Sequence, residues 1–133
     1  MENTLTLIAN DIYTSLGPGY NEVIYHRAFE VALRLSNIPY ESEVVTPVFY
    51  KNHCVGHGRV DLKLESIIIE LKAINTLNTD AIIQTKNYMN QYSMNSGMII
   101  NFGSKNGLGI ILIQNNNLYN FINGSFKLNE INI

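Results

Sequence analysis

Leu5, Ile8, Ile12 and Leu16 recur at three- and four-residue intervals, which predicts a helix over residues 4–16. Gly17-Pro18-Gly19 stops it. Asn21 is placed to cap a second helix running to about Leu35, with Ile24, Ala28, Val31 and Leu35 as its apolar stripe. Arg27, Glu30 and Arg34 form a charge series on its solvated side. After Pro39 the period falls from 3.6 to two. Residues 42–50 read as a strand, put at a sheet edge by Pro47. Lys51-Asn52-His53 turns the chain into a second strand, 55–64. Glu65-Ser66 turns it again into 67–73, where Ile67-Ile68-Ile69 fits a strand buried on both faces. Asn78-Thr79 opens a third helix over about 79–95, with Ala81, Thr85, Tyr88 and Tyr92 along one side and Gly97 past its end. Residues 98–102 and 108–113 are further strands, and 118–121 and 126–128 are shorter terminal ones. The order α-α-β-β-β-α-β-β predicts a mixed α/β domain whose central sheet is flanked by helices.

Composition narrows the classes. A chain of 133 residues suits one domain, 1–133, with a real core. Net charge is −2, so no global basic field attracts a polyanion; that argues against a strong non-specific nucleic-acid binder but not against an enzyme that holds a few phosphates locally. The single cysteine, Cys54, excludes an internal disulfide framework and a cysteine-based metal cluster. No apolar run is long enough for a membrane span and none resembles a signal peptide, so an intracellular protein without a membrane partner is expected, cytoplasmic and nuclear placement being indistinguishable. His53, Cys54 and His57 lack a fourth zinc ligand. Gly17-Pro18-Gly19 lacks the lysine of a phosphate loop and is only a breaker. The abundance of asparagine and isoleucine fits AT-rich codons rather than a functional tract.

The chemistry concentrates in residues 58–74, GRVDLKLESIIIELKAI. Side chains alternate along a strand, so Glu70 and Lys72 share a face and Leu71 points the other way. The turn at 65–66 makes the second and third strands antiparallel neighbours, and residues 61 and 70 are equidistant from it. Asp61 therefore falls beside Glu70, and two carboxylates and an ammonium meet at one sheet edge. Two adjacent carboxylates repel, and burial raises the pKa of at least one. A divalent cation removes that cost, and oxygen-only ligands suit Mg²⁺ or Mn²⁺. Lys72 then stands beside the attacking water or the charge that develops at phosphorus. The same triplet also fits a structural ion pair of Lys72 with Glu70 or Asp61, and spacing alone does not separate the two.

The composite Asp61, Glu70-x-Lys72 on a hairpin between helices resembles the PD-(D/E)XK nuclease superfamily. Gly19-Tyr20-Asn21-Glu22-Val23-Ile24-Tyr25 is similar to the G-x-x-E-x-x-Y signature of its GxxExxY group. Gly56-His57-Gly58-Arg59-Val60-Asp61-Leu62 and Gly97-Met98-Ile99-Ile100-Asn101-Phe102-Gly103 resemble two further segments of that group. Gln84 and Tyr88 resemble the Q-x-x-x-Y motif of the RecB-like branch. The likeness runs from about residue 4 to 113 and leaves 114–133 as a C-terminal strand extension. His57 departs from the pattern, which has an acid between the two glycines, but that position is not a core ligand.

The resemblance implies a restriction-endonuclease-like fold. It also implies metal binding by Asp61, Glu70 and the backbone carbonyl of Leu71, with Lys72 as the catalytic lysine. Glu22 becomes an extra acid that binds or orients a metal through water. Gln84 and Tyr88 contact substrate phosphate or steady Lys72, and Arg59 joins them in holding substrate. Glu22 could equally serve the helix dipole alone, Gln84 could be a solvated residue, and Tyr25 fits packing better than chemistry. The expected function is a Mg²⁺- or Mn²⁺-dependent nuclease acting on nucleic acid, with DNA the expected substrate. The alternative is a catalytically silent or partner-dependent nucleic-acid-binding or assembly module on the same fold, and a homodimer or protein partner is open to either. An α/β domain with no nucleic-acid role is the third reading.

Overall fold

The computed structural model describes residues 1–130. The elements follow in the order α1 (Glu2–Leu16), α2 (Glu22–Leu35), β1 (Glu41–Tyr50), β2 (His53–Lys63), β3 (Ile67–Lys72), α3 (Thr79–Gln91), β4 (Ser96–Asn101), β5 (Gly109–Gln114), β6 (Asn117–Ile122) and β7 (Ser125–Asn129). The expected α/β order holds, and the two terminal strands extend the same sheet. The final three residues of the proposed C-terminal extension lie outside the described residues.

All seven strands form one sheet, ordered in space as in sequence. Neighbours are antiparallel except β3 and β4, which run parallel and are joined through α3, as a parallel pair requires a crossover. The alternation along β3 assigns its two faces. Ile67, Ile69 and Leu71 enter a core with Leu5, Ile8 and Ile12 of α1 and Tyr25, Phe29 and Leu33 of α2. Ile68 enters a second core with Ala81, Ile82, Tyr88 and Met89 of α3. Helices thus cover both faces of β3, which explains its unbroken isoleucine run. Among the described residues, no helix is long and apolar enough to cross a membrane.

Pro47 does lie on an edge strand, β1. Two expectations are corrected. The buried stripe of α2 is Tyr25, Phe29 and Leu33, not Ile24, Val31 and Leu35, which face solvent; Leu35 is 80 % exposed. Both rows have helical spacing, and the aromatic row wins because Tyr25 stacks on Phe102 with centroids 4.4 Å apart. On α3, the helix ends at Gln91, and Gly97 is not its terminator but a buried residue of β4. A Cβ there would lie 2.6 Å from Met89 Sδ and 2.9 Å from Thr85 Cγ2, so glycine is required by the close approach of α3 to the sheet.

The loop between α1 and α2 is fastened by Tyr25. Its hydroxyl donates to the carbonyl of Gly17 (2.6 Å) and accepts from the N–H of Tyr20 (3.3 Å). Gly19 supplies the positive φ, 109°, that the loop needs before α2 begins. The spacing Gly19, Glu22, Tyr25 is therefore a device for fixing the direction in which α2 starts, and Glu22 is its first residue.

Candidate active site

The β2–β3 pairing has the register that the turn predicts. Leu62 pairs with Ile69 and Lys63 with Ile68. At the next step, Asp61 and Glu70, side chains replace the backbone ladder. The Leu71 N–H donates to Asp61 Oδ2 (2.8 Å), and the Asp61 N–H donates to Glu70 Oε1 (3.3 Å). The strands part here, and the two carboxylates fill the gap. Because the N–H and C=O of one strand residue leave on the same side, the Leu71 carbonyl is directed to this gap as well.

Glu70 is only 3 % exposed. Burial first, and then the charge of Asp61, push its carboxyl up to about 8. Burial also raises Asp61, opposed chiefly by the Leu71 N–H. At neutral pH Glu70 thus favours its protonated form. Lys72 lies close enough to pull Asp61, Glu70 and Glu22 towards ionisation, yet among the described residues it forms no ion pair within 4.0 Å. The structural ion pair allowed by the spacing is not what Lys72 makes.

The backbone just beyond Lys72 is held firmly. Its carbonyl accepts from the Phe102 N–H (2.9 Å). The buried amide of Asn101 accepts from the N–H groups of Ile74 (3.0 Å) and Gly103 (3.1 Å) and donates to the Ile74 carbonyl (2.9 Å). Gly103 must be glycine, since a Cβ there would lie 2.5 Å from the Ala73 carbonyl carbon and the Ile74 nitrogen.

Glu22 enters from the opposite layer. It shares with Asp61 a cavity of about 260 Å³, also lined by His26, Arg27, Glu30 and Glu43. Burial, followed by the charge of Asp61, raises its pKa. Glu22 thus shares a cavity and an electrostatic environment with Asp61 while standing in the first turn of α2. Tyr88 and Gln84 are placed differently. The Tyr88 hydroxyl accepts from the Arg59 N–H (3.2 Å) and from Gln84 Nε2 (3.3 Å). Burial, with a contribution from Glu70 and Asp61, raises its pKa. Tyr88 is a buried strut that ties β2 to α3, and neither it nor Gln84 bonds Lys72. Gln84 and Arg59 are exposed beside it. His53, Cys54 and His57 are all exposed, and no zinc cluster is found among the described residues.

Sequence reasoning missed His26 and Glu43. His26 Nε2 lies 2.8 Å from Ser42 Oγ and 3.5 Å from Glu30 Oε2. Its position one turn after Glu22 was an available signal. Glu43 had none: it sits opposite Asp61 where β1 kinks, with φ at +52°.

The donor set fits a divalent cation. The two carboxylates face one gap with a carbonyl, and burial raises the pKa of both, the charge of Asp61 adding to it at Glu70. They do not stand as a ready-made cage; among the described residues no group of three such ligands is already assembled. A cation would offset the repulsion that the two backbone N–H groups of Asp61 and Leu71 now share in offsetting.

The chain matches the profile of the PD-(D/E)XK nuclease superfamily over residues 1–111. No protein of curated function matches it by sequence. It is similar in fold to the crystal structure of SSO0001, with a TM-score of 0.56 and 20 % identity over 70 % of this chain and 50 % of that one. The chain thus spans about half the length of that protein.

Proposed function

Because the chain belongs to the PD-(D/E)XK nuclease superfamily, we propose that it is a Mg²⁺- or Mn²⁺-dependent phosphodiesterase acting on nucleic acid, with DNA the expected substrate, and that it falls in the GxxExxY group of the RecB-like branch. The observation that carries this reading is the pair Asp61–Glu70 set side by side in a parted strand gap, each carboxylate accepting a backbone N–H from the other strand. Bringing two acids together out of water is costly unless a cation is bound there in the working state.

Asp61, Glu70 and the Leu71 carbonyl would hold the cation, with Glu22 reaching it through water. When bound, such an ion supplies Lewis acidity and neutralises charge at the phosphate. The rest is done by the chain's own groups. Lys72, which forms no ion pair within 4.0 Å among the described residues, is available as an ammonium to orient the attacking water or to offset the negative charge that grows on the phosphoryl oxygens. Gln84 donates an amide hydrogen to a phosphate oxygen, and Arg59 holds a neighbouring phosphate. Tyr88 keeps β2 in register so that Asp61 stays opposite Glu70.

The test is cleavage of end-labelled single-stranded DNA, duplex DNA and RNA with Mg²⁺ or Mn²⁺, with Lys72→Ala beside the unaltered protein. Metal-dependent cutting should vanish in the variant while its melting curve and circular dichroism stay unchanged. Undiminished cutting by Lys72→Ala refutes the assignment.

A further inference from the structure

Strands β1 and β2 continue well past the sheet. β2 pairs with β3 only at Leu62 and Lys63, whereas β1 and β2 stay paired out to Tyr50 and His53. The outer part is a free two-stranded ribbon, and every residue from 47 to 57 is exposed. Its root is fixed to α3. Tyr92 Oη lies 2.8 Å from Thr46 Oγ1, Gln91 donates to the Pro47 carbonyl (2.7 Å), and Tyr88 accepts from the Arg59 N–H. A Cβ on Gly58 would meet the Tyr88 hydroxyl at 2.4 Å, so the ribbon is seated directly on α3 beside the carboxylates.

A two-stranded ribbon with both faces in water is marginal by itself. This one keeps large side chains in solvent: Phe49 and Tyr50 are each 61 % exposed and Val55 is 62 % exposed. Its charge is one-sided. No acid occurs between Glu43 and Asp61, although acids outnumber bases over the whole chain, 11 to 9. The segment holds Lys51, Arg59, His53 and His57 instead. His57 and Arg59 alternate along β2 and share a face, about 7 Å apart, and Arg59 is two residues from Asp61. That spacing matches successive phosphates of an extended strand. Beyond them, Phe49 shares the face of His57 and Arg59 and offers its ring there, whereas Tyr50, the next residue, lies on the opposite face with Lys51 Nζ 5.3 Å from its ring centroid.

Self-association by strand addition fits poorly. The β1 edge carries Pro47, which has no N–H to donate, and a bulge at Val48/Phe49, both of which blunt an edge. The side-chain faces are left, and these are cationic and aromatic.

We propose that the β1–β2 ribbon grips single-stranded nucleic acid on the face that carries Arg59, His57 and Phe49, with phosphates along Arg59, His57 and Lys51 at the tip and an unpaired base stacked on Phe49. This rests on the nuclease reading for its purpose: the ribbon leads a single strand, or the frayed end of a duplex, to Asp61 and Glu70. The resemblance to single-strand binding is one of chemistry, a cationic track interleaved with aromatic rings.

The experiment is fluorescence anisotropy of a labelled single-stranded oligodeoxynucleotide and of its duplex, in EDTA and at several salt concentrations. Proteins to compare are the unaltered chain, Phe49→Ala, Tyr50→Ala, Lys51→Ala and, on α2 away from the ribbon, Leu35→Ala; all four residues are exposed, so these variants fold. Phe49→Ala should weaken single-strand binding roughly tenfold or more with little effect on duplex, and Tyr50→Ala, on the opposite face, should do much less. Lys51→Ala should reduce the salt slope by about 0.7, and Leu35→Ala should bind normally. Unchanged single-strand affinity in Phe49→Ala overturns the proposal, as does absence of binding by the unaltered chain. A dimer in sedimentation that Phe49→Ala dissociates without changing oligonucleotide affinity also overturns it, making the ribbon a protein contact. Binding is measured without metal, so it stands apart from catalysis. Ribbon-dependent binding with no cleavage removes the nuclease reading alone, and cleavage that the ribbon variants leave intact removes the ribbon alone.

Discussion

Replacing Glu70 by glutamine separates the cost of the metal-free site from its use. Glutamine keeps the shape and an acceptor for the Asp61 N–H but cannot ionise. With its pKa raised from 4.5 to about 8, native Glu70 keeps its proton where the unfolded chain has lost it. The native state then binds more protons, so stability falls as pH rises from about 4.5 and levels off above about 8. At 1.36 kcal/mol per pH unit, the loss at pH 7.5 is about 4 kcal/mol. For a domain of this size that is on the order of ten degrees in melting temperature. Melting curves in EDTA from pH 5 to 9 should show a descending limb for the unaltered protein, and Glu70→Gln should lack most of it. Mg²⁺ or Mn²⁺ at pH 8 should restore the stability of the unaltered protein and do much less for the variant. Parallel pH profiles in EDTA would refute the account, because Glu70 would then be an ordinary carboxylate.

Other predictions test the frame around the site. Asn101→Ala should cost about 1–3 kcal/mol by leaving the Ile74 and Gly103 groups unpaired, and should lower kcat more than KM as the chain beyond Lys72 loosens; urea unfolding and steady-state kinetics read the two effects. Gly103→Ala drives a Cβ into backbone and should lose about 3 kcal/mol in the same unfolding assay. On α2, Leu33→Ala should cost about 2–5 kcal/mol and Leu35→Ala under about 0.5 kcal/mol, whereas the stripe expected from sequence gives the reverse order. Gly58→Ala should displace the Tyr88 hydroxyl, and a cleavage assay should show reduced activity in a protein that remains folded.

The central hairpin was legible because its turn is short. Once Glu65-Ser66 is the turn, antiparallel pairing leaves one partner for Glu70, and that is Asp61. Alternation then places Lys72. The stripe of α2 was not legible in the same way, since periodicity finds that a helix is amphipathic but cannot choose between adjacent rows when both carry apolar residues. Tyr25, Phe29 and Leu33 win through partners such as Phe102, which follows β4 far along the chain. Glu43 reaches the acidic cavity through a kink in β1 that has no local signature, whereas His26, one turn after Glu22 on α2, was within reach of helical spacing. Tyr88 shows a further limit: its spacing from Gln84 marked the right helix face, but its hydroxyl serves the β2 backbone.

Because the strands lie in space in the order in which they are made, the site is completed late in synthesis. The hairpin carrying Asp61, Glu70 and Lys72 can pair as soon as β3 is available. The full burial of Glu70 needs β4 beside β3, paired through Glu70–Ile99 and Lys72–Asn101. Asn101 and Phe102 then close the far end. A nascent chain that stops short of residue 102 would carry every acid named above and the lysine as well, yet it would lack the buried pair that gives them their chemistry.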